Sequence, residues 1–165
     1  MDREELQALQ TPLKERYREE PEAALITLCA EGLLDGANIA CSVATGRALV
    51  EAGLQAAKGG TGMLACSGDM LLQAVVACAG VTLRSVATSL EIPVGGSVRA
   101  EGDLDFRGTL AVDRETPVGF TAIRLFFELE SDASQEQLDT LLRLTERYCV
   151  VLQTLTGGVP VDVSY

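Results

Sequence analysis

The sequence predicts an α+β protein, with antiparallel sheets wrapped around two main helices in the order β-β-β-α-β-β-α-β. Three observations carry this. Short aliphatic runs broken by turn residues fill residues 23–52. A long, almost uncharged helical segment follows a glycine-rich connector. Two alternating runs then precede a second helical segment. Apolar residues make up 47% of the chain and aromatics only 4%, so aliphatic side chains must pack the core, and disulfides or metals are not needed for it.

Residues 3–20 read as a charged helix broken at Pro12, with Leu6, Leu9, Leu13 and Tyr17 on one shallow stripe. A solvated arm or an oligomer strap is the favoured reading, so residues 1–22 are set apart from a domain at 23–165. Ala24 to Ala30 reads as a strand. Gly32 and Asp35-Gly36 supply turn chemistry before a second run, Asn38 to Ala44. Thr45-Gly46-Arg47 is a further turn, and Ala48 to Ala52 a third short strand.

Gly53 to Gly68, with Gly59-Gly60-Thr61-Gly62 at its centre, reads as a connector. It lacks the Gly-Lys-Ser/Thr ending of a phosphate loop and the glycine spacing of a dinucleotide fold. Ser67 or Asp69 can cap the helix that follows, Met70 to Leu90. Apolar residues on nearly every side predict a central, buried helix, stopped by Glu91-Ile92-Pro93. Val98–Phe106 and Thr121–Glu130 read as a hairpin-like pair of strands. Ser134-Gln135-Glu136-Gln137 opens a second helix with Leu138, Leu141 and Leu142 on one face. Gly157-Gly158 ends it, and Val159 to Val163 is a closing strand.

Composition narrows the chemistry. Thirteen Lys and Arg against 24 Asp and Glu give a net charge of −11, the wrong sign for nucleic acid or an anionic membrane surface. The chain has no histidine, which excludes a Ser-His-Asp triad, a Cys-His pair and a His-ligated metal. Five cysteines remain: Cys29, Cys41, Cys66, Cys78 and Cys149. No two stand in Cys-x-x-Cys spacing, so neither a zinc site nor a disulfide framework is expected. The first residues carry no secretory signal, and the expected compartment is the cytoplasm, with reduced thiols. Each main helical segment holds one thiol, Cys78 among Ala77, Ala79 and Gly80, and Cys149 toward the end of the second. From residue type alone, two buried core cysteines and a redox pair are equally open.

Three stretches carry a resemblance to the osmotically inducible protein C / organic hydroperoxide resistance (OsmC/Ohr) family, over roughly residues 23–165. Ser67-Gly68-Asp69-Met70-Leu71-Leu72 through Ala77-Cys78-Ala79-Gly80 resembles the family's first-cysteine helix. Cys149-Val150-Val151 followed by Gly157-Gly158-Val159-Pro160-Val161 resembles the second-cysteine motif, with Val150 where proline is usual. Ala44-Thr45-Gly46-Arg47 is similar to a turn that supplies a catalytic arginine. Asp69 stands where glutamate is usual. The resemblance implies an OsmC-like domain at 23–165 that forms an intertwined homodimer. It implies a thiol-dependent peroxidase that reduces organic hydroperoxides in oxidative stress defence, with no metal or organic cofactor. Cys78 would attack the peroxide, Cys149 would resolve it to a disulfide, and an external dithiol, such as a lipoylated protein, would reset it. Arg47 would hold Cys78 as thiolate, and Asp69 would hold Arg47. The alternative is a stress-associated binding dimer on the same fold with idle thiols.

Overall fold

The computed structural model describes residues 3–34, 41–43, 57 and 66–164. The expected strand Ala48–Ala52, the turn at Arg47 and most of the Gly53–Gly68 connector lie outside them.

Helix α1 (Arg3–Glu19) runs through Pro12 unbroken. Proline removes one intrahelical N–H and crowds the preceding turn, but the residues after it are anchored. Tyr17 is 2% exposed and packs with Ala24, Phe106 and Leu110, flanked by Leu13. Its hydroxyl donates to the Ala57 carbonyl at 2.8 Å. The end of α1 is therefore docked, not a solvated arm. A 3-10 turn at Pro21–Ala24 leads into β1 (Leu25–Leu34). Gly32 is not a turn residue. It pairs with Val43 of β2 (Cys41–Val43), in an antiparallel register that also matches Leu33 with Ser42 and Leu34 with Cys41.

Helix α2 spans Ser67–Ser89. Cys66 stands at its cap position, accepting the Met70 N–H at 3.0 Å, so Ser67 and Asp69 fall in the first turn instead. Leu72, Val75, Val76, Ala79, Leu83 and Ala87 are fully buried, a helical stripe rather than burial on every side; Met70 and Val81 are 38% and 40% exposed. By length and hydropathy alone α2 could cross a membrane, but what it supplies here is this buried stripe. The Ile92 N–H reaches back to the Ala87 carbonyl at 2.9 Å and Glu91 takes a left-handed φ of 55°, which closes the helix ahead of Pro93.

Strands β3 (Gly95–Asp105) and β4 (Phe120–Glu130) complete a four-stranded sheet in the order β2-β1-β3-β4. Val98, Ala100 and Gly102 alternate inward on β3, as a half-buried strand requires. Phe106 does not continue the strand. The Asp105 carboxylate accepts the Arg107 N–H at 3.0 Å and starts the single turn α3 (Phe106–Thr109).

Helix α4 (Gln135–Tyr148) opens on the expected capping box: the Ser134 hydroxyl accepts the Gln137 N–H and the Gln137 side chain accepts the Ser134 N–H at 3.0 Å. The second helical segment is not one helix. It breaks at Cys149, whose backbone is extended (φ −71°, ψ 104°), and restarts as α5 (Val150–Gly157), which ends on Gly158 at φ 61°. No closing strand forms at Val159–Val163. Val161 and Val163 are 78% and 90% exposed, with no strand partner among the described residues.

The chain divides into two compact units. One comprises Met1–Ala30, Thr45–Leu72 and Ala100–Leu125, with the Tyr17, Ala24, Phe106 and Leu110 cluster at its centre. The other comprises Glu31–Ala44, Gln73–Arg99 and Phe126–Tyr165. There Leu83 and Ala87 of α2 pack on Leu141 of α4, closed by Ile92 and Val94, with Leu138, Leu142, Phe127 and Leu129 around them.

Gly96 tests this second packing. Its φ is 113°, and a Cβ there would meet the Glu128 backbone carbonyl, which cannot move aside cheaply. Gly96→Ala should destabilise by about 2 kcal/mol or more, read as a lower urea midpoint. Gly157→Ala, with nothing within 4 Å of the new methyl, should leave that midpoint unchanged or raise it.

Candidate active site

Cys78 lies in the middle of α2, half-buried, beside the buried stripe formed by Val75, Val76 and Ala79. Cys149 lies in the joint between α4 and α5 and is fully buried. The joint is held from both sides. The Cys149 N–H donates to the Thr145 carbonyl at 2.9 Å, finishing α4, and its carbonyl accepts the Gln153 N–H at 2.9 Å, starting α5. The joint turns the first residues of α5 toward Cys78.

The neighbours that bear on the Cys78 thiol are the N–H groups of Val151 and Val150, the Cys149 thiol and the Thr82 hydroxyl. Burial by itself would raise the Cys78 thiol; these hydrogen bonds more than offset it and hold Cys78 below the ordinary thiol value. The two backbone donors are the first two of α5. Such N–H groups have no intrahelical acceptor and sit at the positive end of the helix dipole, a setting that favours an anion. Cys149 goes the other way. Burial raises it most, the Leu152 N–H opposes this, and the charge and hydrogen bond of Cys78 add to the rise, so that it is pushed up to about 11. Cys78 is therefore the more readily ionised thiol of the neighbouring pair.

The structure brings together two of the four residues singled out from the sequence. Arg47 lies outside the described residues. Asp69 sits in the first turn of α2, half-buried, its carboxyl raised by burial, and it is not among the partners of Cys78. Of the other cysteines, Cys66 is half-buried at the start of α2, and Cys29 and Cys41 lie on β1 and β2.

Sequence reasoning missed Thr82 and the two valine N–H groups. Thr82 follows Cys78 by one helical turn, which puts both on one face. Thr88, Ser89, Thr145 and Thr156 each give their hydroxyl to the carbonyl four residues back. The Thr82 hydroxyl bears instead on the Cys78 thiol, which it lowers. Thr82 also lines a cleft of about 480 Å³ between α2 and α4, with Val81, Val86, Leu90, Leu144 and Tyr148 as its apolar walls.

A family model described as OsmC-like protein matches residues 60–164, more than half of the chain. The chain belongs to the OsmC-like protein family. The match contains α2, both strands β3 and β4, and the thiol pair. Comparison with curated proteins gives no match. Proteins of this family are stress-related, are often peroxidases and commonly form dimers. The α+β character with a small antiparallel sheet accords with that membership.

In this OsmC-like chain Val150 directly follows Cys149. Proline has no N–H, so valine adds a donor to the Cys78 site. Thr82→Val and Val150→Pro each remove one donor, and a hydrogen bond to a charged group is worth about 1.5–3 kcal/mol. Each should raise the pH midpoint of Cys78 alkylation by about one pH unit; Thr82→Ser should keep the wild-type midpoint. Proline is tolerated at the first position of a helix, so α5 should persist in Val150→Pro. Alkylation across pH, read by peptide mass spectrometry, checks all three.

Proposed function

We propose that this OsmC-like protein is a thiol-dependent peroxidase that reduces organic hydroperoxides through a Cys78/Cys149 dithiol–disulfide cycle, in oxidative stress defence. What supports the reading is a second, buried thiol, Cys149, next to Cys78, among neighbours that lower the Cys78 thiol. A peroxidatic cysteine must be ionised at neutral pH and must have a second thiol within reach. In the cycle, the Cys78 thiolate attacks the terminal peroxide oxygen and the O–O bond breaks. An alcohol leaves and Cys78 becomes a sulfenic acid. Cys149 displaces the sulfenic hydroxyl to form the disulfide, and an external dithiol, such as a lipoylated protein, returns both thiols. The apolar cleft beside Thr82 favours a substrate with an organic tail over hydrogen peroxide.

Arg47 and Asp69 keep their expected parts in this reading, as a cation near Cys78 and its carboxylate partner. Because backbone and hydroxyl donors already favour the thiolate, the arginine adds to the activation instead of creating it. A homodimer is also proposed. Helix α5 buries no residue, and Val150, Val159, Val161 and Val163 are all more than half exposed. A second copy would cover apolar surface of this kind.

Purified protein should consume cumene hydroperoxide with dihydrolipoamide as reductant. Cys78→Ser should abolish turnover. Wild-type protein given one equivalent of peroxide should show a Cys78–Cys149 disulfide by peptide mapping. A disulfide that instead joins Cys66 or Cys41, or no consumption at all, would favour idle thiols. Light scattering should give a dimer at micromolar concentration, and a monomer would remove the dimer from the reading.

A further inference from the structure

The joint between α4 and α5 competes with a simpler arrangement. In an unbroken helix each N–H bonds the carbonyl four residues back, so the Val150 N–H would take the Glu146 carbonyl. The Cys149 ψ of 104° rotates the peptide unit that carries this N–H out of its helical orientation. The Glu146 carbonyl then has a different donor. The Gln153 carboxamide gives it an N–H at 2.9 Å, while the Gln153 backbone N–H donates to the Cys149 carbonyl at 2.9 Å. The Thr145 and Thr156 hydroxyls stay within their own helices, each on the carbonyl four residues back. The Gln153 side chain reaches seven residues back, from α5 across the joint to the last turn of α4. We infer that Gln153 is a positioning residue of the thiol site: its carboxamide takes the place of the Val150 N–H on the Glu146 carbonyl and so holds the joint open at Cys149.

Two states of the joint compete for one carbonyl. In the open state Gln153 holds Glu146, Cys149 is extended, and the Val150 N–H is left for Cys78, whose thiol it lowers. In the closed state the Val150 N–H is spent on Glu146, Cys149 becomes helical, and α5 continues the axis of α4. The bend that sets Cys149 beside Cys78 is then lost. Gln153 suits this task chemically. Its amide supplies N–H donors without a charge, so it acts on the backbone and not on the thiols through space. Its side chain is exposed, so it contributes little to the core. Water competes for a bond at the surface, so its loss shifts the balance between the states by a modest factor.

The inference rests on the dithiol reading of the site, and its test needs no peroxide. Gln153→Met keeps the length of the side chain and removes the donor. Three quantities are measured in each protein: the carbon-13 shift of the Cys149 α-carbon, the pH midpoint of Cys78 alkylation, and the rate of Cys78–Cys149 closure under diamide. Gln153→Met should move the Cys149 shift from an extended toward a helical value. It should raise the Cys78 midpoint by about half a pH unit and slow closure on the order of fivefold. Gln153→Lys, which keeps a donor of similar reach, should hold the Cys149 shift at its wild-type value. The deciding comparison uses Val150→Pro. Proline has no N–H to return to Glu146 and its ring crowds that carbonyl, so the joint stays open unaided. In that background Gln153→Met should change none of the three quantities, the non-additivity of residues that act through one another. An unchanged Cys149 shift in Gln153→Met, or equal effects in both backgrounds, would overturn the positioning role. A wild-type protein that consumes no peroxide yet keeps this pattern would remove the peroxidase reading and leave the positioning role standing. Active peroxidase without the pattern would do the reverse.

Discussion

The interruption of the helix at Cys149 is the constraint on which the site depends. If residues 135–157 formed one continuous helix, the N–H groups of Val150 and Val151 would be spent on carbonyls one turn back. Because the backbone of Cys149 is extended, α4 ends, α5 begins, and those N–H groups are released. They bear on the Cys78 thiol and lower it. One backbone change thus frees N–H groups next to Cys78 and places a second, buried thiol beside it.

The rest of the second unit serves to hold that joint against α2. Leu83 and Ala87 on α2 and Leu141 on α4 are fully buried together, and fully burying a leucine contributes about 1.5–3 kcal/mol. The capping box at Ser134 fixes where α4 starts, and Thr145, one turn before the joint, is buried with its hydroxyl on the Leu141 carbonyl at 2.8 Å. The same α2–α4 pairing leaves the apolar cleft that Thr82 lines. Packing and chemistry are therefore divided along α2: one stripe of the helix is sealed, and Cys78 and Thr82 stand half-buried next to it.

Much of this was legible from periodicity and punctuation. The body and C-terminal stop of α2, the alternation in β3, the capping box of α4 and the stop at Gly158 follow from local pattern and stand where the residues put them, whereas α2 starts three residues earlier than expected, at Ser67. The exceptions have physical reasons. Gly32 is a common turn residue, but cross-strand pairing with Val43 absorbs it into β1. Pro12 disfavours a helix interior, yet the anchored Tyr17 side holds the helix together. Val159, Val161 and Val163 alternate as a strand should, but a strand needs an edge to pair with as well as a pattern. The thiol pair was legible as two cysteines in two helical segments. Its activation was not, because the donors are backbone N–H groups, which every residue but proline carries. The faint signal was the β-branched Val150-Val151 pair directly after Cys149, a poor continuation of a helix.

The central claim is that the start of α5 lowers the Cys78 thiol while burial raises that of Cys149 beside it. The most direct measurement is an NMR titration of reduced protein labelled with carbon-13 at the cysteine β-carbons, assigned with single Cys→Ser variants. The account expects Cys78 to ionise below the ordinary thiol value and Cys149 to hold its proton until about pH 11. Both residues ionising together near the value of a free thiol, or Cys149 ionising first, would contradict it.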